Sequence, residues 1–179
     1  MAEIEIRPAI SNDIAILEEF DHSCETTHVW QLESSVARDH VIFDLREVKL
    51  PRVLRLNYLE RTGNLKDTWT KHTLFLVAIS EGKPVGYLIL DDQPELESTA
   101  VKDIVVDLPM RQQGIASSLI LASQQWLKKR GTTRLVIEVP AKNHPMIQLA
   151  RKLRFEFSGL ADNHYSNGDI AFFFINKLK

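Results

Sequence analysis

The run Arg111-Gln112-Gln113-Gly114-Ile115-Ala116 places an arginine, two amides and a glycine where an apolar helix begins. The first N–H groups of a helix have no partner inside it. Set beside small side chains they seat an anion, and the helix dipole adds to the attraction. N–H groups from Gln112 through Ser117 can converge on one charged group. Gly114 lacks a Cβ, so backbone and anion can approach closely. Ala116 keeps the first turn narrow, and Arg111 brings positive charge to the mouth. The chemistry this predicts is phosphate binding. A plain tight strand–turn–helix connection would have the same outline without needing the arginine. Competing nucleotide patterns, G-x-G-x-x-G and G-x-x-x-x-G-K-[ST], are absent.

The elements that must position this turn are legible on both sides of it. Ile104-Val105-Val106 is a short β-branched strand run closed by Asp107-Leu108-Pro109. Ile115, Leu119, Ala122 and Trp126 form one stripe at helical spacing; Lys128, Lys129 and Arg130 fill the last turn, and Gly131 ends it. Upstream, Leu74 to Ile79 and Val85 to Leu90 read as a hairpin about Ser80-Glu81-Gly82-Lys83, followed by a loop from Asp91 to Glu95 and a strand from about Thr99. Downstream, Arg134 to Val139 is a strand stopped by Pro140. Asn143 or His144 caps a helix whose stripe is Met146, Leu149, Ala150 and Leu153. Phe155 to Gly159 and Ile170 to Ile175 are two further strands, the second too apolar for an exposed edge. The crossover helix makes the strands ending at Val106 and Val139 parallel neighbours.

The amino-terminal third is less regular. Glu3 to Arg7 alternates as a half-buried strand ending before Pro8, and Ser11 or Asn12 caps a helix carrying Ile14, Leu17 and Phe20. Val29 to Leu32 suggests a short strand. Val41, Phe43 and Leu45 alternate before the phase shifts to Val48 and Leu50, as a bulge or strand end would produce. Val53 to Leu59 fits a strand or one helical face, and Thr62-Gly63-Asn64 a turn. Lys49, Arg52, Arg55 and Arg61 make this stretch locally basic, in the manner of a solvated face.

Composition narrows the function classes. With 179 residues and net charge −2, the chain is expected to form one domain over residues 1–179, with no global pull toward nucleic acid or anionic membrane. Cys24 is the single cysteine, acids crowd residues 1–20, and no apolar run spans a membrane, so a soluble cytoplasmic protein is expected. The six histidines are dispersed without a metal-ligand spacing, so no metal is expected.

Arg111-x-x-Gly114-x-Ala116 on a strand–turn–helix resembles the Q/R-x-x-G-x-G/A motif of the GNAT superfamily of acyl-CoA N-acyltransferases. The order of elements is similar too, and Asp162-Asn163-His164-Tyr165 followed by Asp169 to Phe173 resembles the closing hairpin of streptothricin-acetyltransferase-type members. The resemblance implies an α/β fold with a mixed, mostly antiparallel sheet flanked by helices, in which a splayed parallel strand pair forms the acyl-CoA cleft. It implies acetyl-CoA as cosubstrate, bound by Ile104, Val105, Val106, Arg111, Gln112, Gln113, Gly114, Ile115, Ala116, Ser117 and Asn143, Asn143 doubling as a helix cap. The implied reaction is direct attack of a small-molecule or peptide amine on the thioester, by a monomer or homodimer. A non-catalytic acyl-CoA-binding domain of the same fold is the alternative.

An amine must be neutral to attack, and alkylammonium groups near pKa 10.4 are mostly charged at neutral pH, so a base is useful. Asp103 is the first candidate, with Glu138 and His164 as others. Lys102 stands where some polyamine-type members have a glutamate. The tyrosine that serves the family as general acid falls on Ala150, and the glycine before Phe155 is Arg154. A thiolate is a good leaving group without that acid, and Tyr165 is a candidate to protonate it. Trp30, Glu138 and His164 are the expected substrate contacts.

Overall fold

Every residue of Leu74-Phe75-Leu76-Val77-Ala78-Ile79-Ser80 is buried, because both faces of this strand are covered. Leu74, Leu76 and Ala78 enter one apolar cluster, and Phe75, Val77 and Ile79 enter another. A continuous apolar run of this kind belongs to a central strand. The rest of the fold is built outward from it in a computed structural model that describes residues 3–57 and 64–178.

In chain order the elements are β1 (Ile4–Pro8), α1 (Ser11–Leu17), β2 (Cys24–Val36), β3 (Val41–Leu56), α2 (Leu65–Thr68), β4 (Leu74–Ser80), β5 (Lys83–Gln93), β6 (Ser98–Val106), α3 (Ile115–Arg130), β7 (Arg134–Pro140), α4 (His144–Lys152), β8 (Glu156–Ala161) and β9 (Ala171–Lys177). Seven strands form one sheet in the order β1-β4-β5-β6-β7-β9-β8, and β2 pairs with β3 in a separate two-stranded sheet. Only β6 and β7 pair in parallel among these; the other pairs are antiparallel. This is the expected mixed, mostly antiparallel α/β architecture. No helix of the described residues is long and apolar enough to cross a membrane.

The β4–β5 hairpin closes on Glu81 and Gly82, with φ of 49° and 76°, as a two-residue turn between twisted strands requires. The loop expected from Asp91 is displaced. β5 continues through Asp91↔Ala100, Asp92↔Thr99 and Gln93↔Ser98. The Thr99 hydroxyl donates to Asp92 at 2.8 Å, and the chain reverses in one 3-10 turn, Pro94–Leu96.

Helix α3 buries Ile115, Leu119, Ile120, Ser123 and Leu127, so the deep stripe is rotated from the expected one, and Ala122 and Trp126 are only half-buried. In α4 the fully buried residues are Ile147 and Ala150. Arg154 follows that helix in the left-handed region, φ 61°, which explains why a glycine suits the position.

Neither Ser11 nor Asn12 caps α1. Its N-cap is Ile10, whose N–H donates to the Asp13 carboxylate at 2.9 Å. The same carboxylate takes two bonds from the Arg7 guanidinium, at 2.7 and 2.9 Å. Arg7, then the Ile10 N–H, hold the Asp13 pKa below the usual carboxylate range despite the opposing effect of burial. A carboxylate depressed on folding stabilises the protein above its unfolded value near 3.9, and that contribution disappears as pH falls through the folded value. Asp13→Asn is therefore expected to cost about 1–3 kcal/mol at neutral pH. Denaturant titrations should show its deficit narrowing below about pH 4.

The amino-terminal third differs most from expectation. The short strand expected at Val29–Leu32 is part of a 13-residue strand, β2. It pairs with the 16-residue β3 as a long arm. Leu45 and Val48 sit in unbroken register, opposite Leu32 and Val29 respectively, on the two faces of the arm. The change of phase reflects apolar residues on both faces, not a bulge. The irregularity lies further on, where register jumps from His28↔Lys49 to Thr26↔Leu54. The basic residues Lys49, Arg52 and Arg55 are exposed, and Arg55 pairs with Asp21 at 2.8 Å. Tyr58, Leu59, Arg61 and the Thr62-Gly63 turn lie outside the described residues.

Candidate active site

The site begins at a fault in the sheet. β6 and β7 pair only through Thr99↔Leu135, Ala100↔Val136 and Val101↔Ile137. On its other side β6 stays paired to β5 as far as Val106↔Gly86, with a register shift between Leu90↔Val101 and Ile89↔Asp103. Lys102 is the unpaired residue of that bulge, and a bulge bends its strand. β6 therefore leaves β7 at Lys102. Beyond it, Ile104 and Val106 pack toward α3, while Val105 packs toward α1.

The gap opens into a cleft of about 730 Å³. Its walls include Ile104, Val105, Val106, Arg111, Gln112, Gly114, Ile115, Ala116, Ser117 and Asn143. Gln113, expected with them, is not among the lining residues, and its amide donates to the Pro109 carbonyl at 3.2 Å. Gln112 and Gly114 are both left-handed, φ 62° and 88°, which winds the chain tightly into α3. Ser118 N–H closes the first helical turn on Gly114 at 3.0 Å, so the N–H groups of Ile115, Ala116 and Ser117 precede the intrahelical ladder. A Cβ built at Gly114 would meet nothing within 4 Å. At Gly86 it would meet the Val105 carbonyl at 3.1 Å and Ile115 at 3.2 Å, so the start of α3 is seated hard against β5 and β6.

Arg111 behaves differently from the sequence expectation. Its Nε donates to the Val106 carbonyl at 2.9 Å, one terminal nitrogen to the Ser23 carbonyl at 2.6 Å, and the other to the Asp21 carbonyl. The guanidinium clips the segment before β2 to the end of β6. Three of its donors are directed at backbone carbonyls, and the residue also lines the cleft.

Asn143 caps α4: its side-chain oxygen accepts Met146 N–H at 3.2 Å and the Cys24 thiol at 3.3 Å. Burial pushes the Cys24 pKa up, which keeps it a thiol and a poor nucleophile. Ala150, at the family's tyrosine position, is fully buried in the core behind the cleft.

Two polar clusters occupy the sheet face opposite α3. In the first, the Tyr87 hydroxyl donates to Asp103 at 2.6 Å, and His22 lies 3.4 Å from that hydroxyl and 3.9 Å from the carboxylate. Burial, and then the charge of Asp103, push the Tyr87 pKa far above the usual range, so the phenol remains a donor. His22 lines the cleft. Neither His22 nor Tyr87 belongs to a motif. The available signal was a hydroxyl within the apolar run Val85 to Leu90, but its partner depends on strand register.

In the second cluster, Glu138 on β7 accepts the Tyr165 hydroxyl at 3.0 Å and lies 3.0 Å from His164. The structure thus brings Tyr165, His164 and Glu138 together on the sheet face opposite α3, and Tyr165 is not among the residues lining the cleft. Trp30 joins neither cluster. Its ring packs edge-on to Phe172 with 6.1 Å between centroids, and the Arg151 guanidinium covers it at 4.8 Å. It anchors the β2–β3 arm to α4 and β9.

Comparison with known proteins accords with this geometry. An N-alpha-acetyltransferase of Sulfurisphaera tokodaii is 23% identical over 157 residues, which is 78% of this chain and 94% of the relative. The crystal structure of nourseothricin acetyltransferase superposes with a TM-score of 0.82 at 23% identity, covering 98% of this chain and 99% of that one. A Bacillus anthracis str. Ames protein assigned as a streptothricin acetyltransferase, solved in complex with acetyl coenzyme A, gives 0.77 at 18% identity, covering 98% and 99%. The family model described as acetyltransferase (GNAT) family matches residues 41–155, well over half of the sequence, and the chain belongs to that family.

Proposed function

We propose that this protein transfers the acetyl group of acetyl-CoA to a primary amine. The observation that carries the reading is the departure of β6 from β7 at Lys102, which opens a cleft leading to the start of α3. The cleft fits the cosubstrate on two counts. Helical N–H groups of Ile115, Ala116 and Ser117 suit a pyrophosphate, and the open space above Gly114 admits it to the backbone.

In this reading Ile104, Val105 and Val106 offer backbone groups to the pantetheine arm. With its side-chain oxygen committed to Met146 and Cys24, Asn143 offers its NH2 group from the other wall. A strand N–H near the thioester carbonyl would stabilise developing oxyanion charge, a contribution typically of about 2.7–4 kcal/mol per donor. Acetyl-CoA supplies an acyl carbon already activated by a thiolate leaving group.

Asp103 takes the proton that the amine must lose, directly or through His22, while Tyr87 fixes the carboxylate through its short hydrogen bond. The new C–N bond replaces the C–S bond, and CoA leaves as the thiolate. That departure needs no acid from α4, where Ala150 has none to give. Tyr165 and His164 orient Glu138 at the acceptor side of the gap.

The test is release of free thiol from acetyl-CoA, followed with a thiol reagent against a panel of amines, amino acids and peptides. Amine-dependent release supports transfer. Tight CoA binding with no acceleration by any amine would assign the chain instead to the acyl-CoA-binding class.

A further inference from the structure

We propose that the acceptor carries a carboxylate beside its reactive amine, and that Lys102 selects it. This rests on the acetyl-transfer reading and names the class of acceptor.

A second depression, about 420 Å³, lies on the sheet face opposite α3. Its floor is apolar, formed by Ala100, Val136, Phe173 and Ile175. It adjoins the gap, because Val101↔Ile137 is the last parallel pair and Lys102 and Glu138 are the next residue on each strand. An acceptor resting there has its amine at the opening through which the acetyl group would pass.

The charges around this depression are Asp91, Lys102, Arg134 and Glu138. Both carboxylates already have partners. Asp91 shares a hydrogen bond with His72 at 2.8 Å, and Glu138 holds Tyr165 and His164. Asp103, next along β6, is engaged by Tyr87. Arg134 donates to the Leu96 carbonyl, and among the described residues it has no ion pair. Lys102 is exposed on the bulge, and among the described residues its ammonium has no hydrogen bond or ion pair. The acids on this face are therefore matched and the cations are not.

That balance works against a polycationic acceptor, whose second ammonium would approach Lys102 and Arg134. It favours an acceptor whose negative group lies close to the amine. Consecutive Cα atoms on β6 are about 3.8 Å apart, so Lys102 lies within one residue of the proposed base Asp103. An α-amino acid, with amine and carboxylate on one carbon, suits that spacing. Its carboxylate pairs with Lys102 while its amine faces Asp103 and Glu138.

The experiment compares amino acids with their own decarboxylated amines: lysine with cadaverine, histidine with histamine, phenylalanine with phenethylamine. kcat/KM is read from thiol release for wild type, Lys102→Gln and Lys102→Glu. Wild type is expected to favour the carboxylate-bearing member of at least one pair by about tenfold or more. Lys102→Gln should erase that preference, and Lys102→Glu should invert it. Because Lys102 is exposed, Tm should stay at the wild-type value. Preference of the wild type for the decarboxylated member in every pair would overturn the proposal, as would a ratio unmoved by Lys102→Glu. Either result with amine-dependent turnover leaves the transfer reading standing. Absence of turnover with every amine defeats both.

Discussion

Asp103→Asn is expected to lower kcat for amine acetylation by about 10²–10⁴-fold, the usual contribution of a positioned base. KM for acetyl-CoA should change little, since Asp103 lies on the opposite sheet face from Ile104 and Val106. The asparagine can still accept the Tyr87 hydroxyl, so geometry survives while the proton acceptor is lost. Tyr87→Phe probes the same unit from the other side. It removes the 2.6 Å hydrogen bond from a half-buried carboxylate, and a smaller loss of kcat is expected because the base remains. Steady-state kinetics of the two variants separate the roles: losing the base should cost far more kcat than losing the residue that fixes it. An Asp103→Asn enzyme with wild-type kcat would transfer the base role to another group.

Arg111→Ala is expected to have the largest effect on the fold near the site. The guanidinium serves the carbonyls of Asp21, Ser23 and Val106, and so joins the start of β2 to the end of β6. Hydrogen bonds to a charged group contribute about 1.5–3 kcal/mol each, and these are partly exposed, so a loss of about 2–3 kcal/mol is expected in denaturant titration. Affinity for acetyl-CoA should fall with it, because His22, Ser23 and Cys24 line the cleft. Arg111→Lys distinguishes this role from a simple phosphate charge. A lysine restores the charge but cannot reproduce a fork that reaches three carbonyls. If Arg111→Lys recovers both stability and affinity, the clip is not the main role of this residue.

The local signals in the sequence were strongest where one element decides the outcome. The apolar run of β4, the Glu81-Gly82 turn, the strand–glycine–helix succession from β6 to α3, and the Asn143 cap each depend on neighbours within a few residues. The crossover rule then made β6 and β7 parallel, and the pairing observed is parallel. The β2–β3 arm was obscure for a physical reason: apolar residues on both of its faces blur a period of two. Leu45 and Leu32 lie on one face, and Val48 and Val29 on the other.

Arg111 and Asp103 show the limit most clearly. Their residue types suggested an anion contact and a base. What each touches depends on carbonyls or side chains from elements remote in sequence, at Asp21, Ser23, His22 and Tyr87. Trp30 is similar: an aromatic on an uncertain segment, placed by Phe172 and Arg151 where the arm packs against α4.

The run from Arg111 to Ala116 thus determined by itself that a tight turn with free N–H groups begins a helix, because unbonded first-turn N–H groups and a left-handed glycine are local properties of the chain. The tertiary structure decided the rest: that Arg111 clips the turn to the segment before β2, that a one-residue bulge at Lys102 opens the sheet, and that the acids facing the gap are already partnered. Those facts follow from strand register and long-range packing, which no spacing within a single segment encodes.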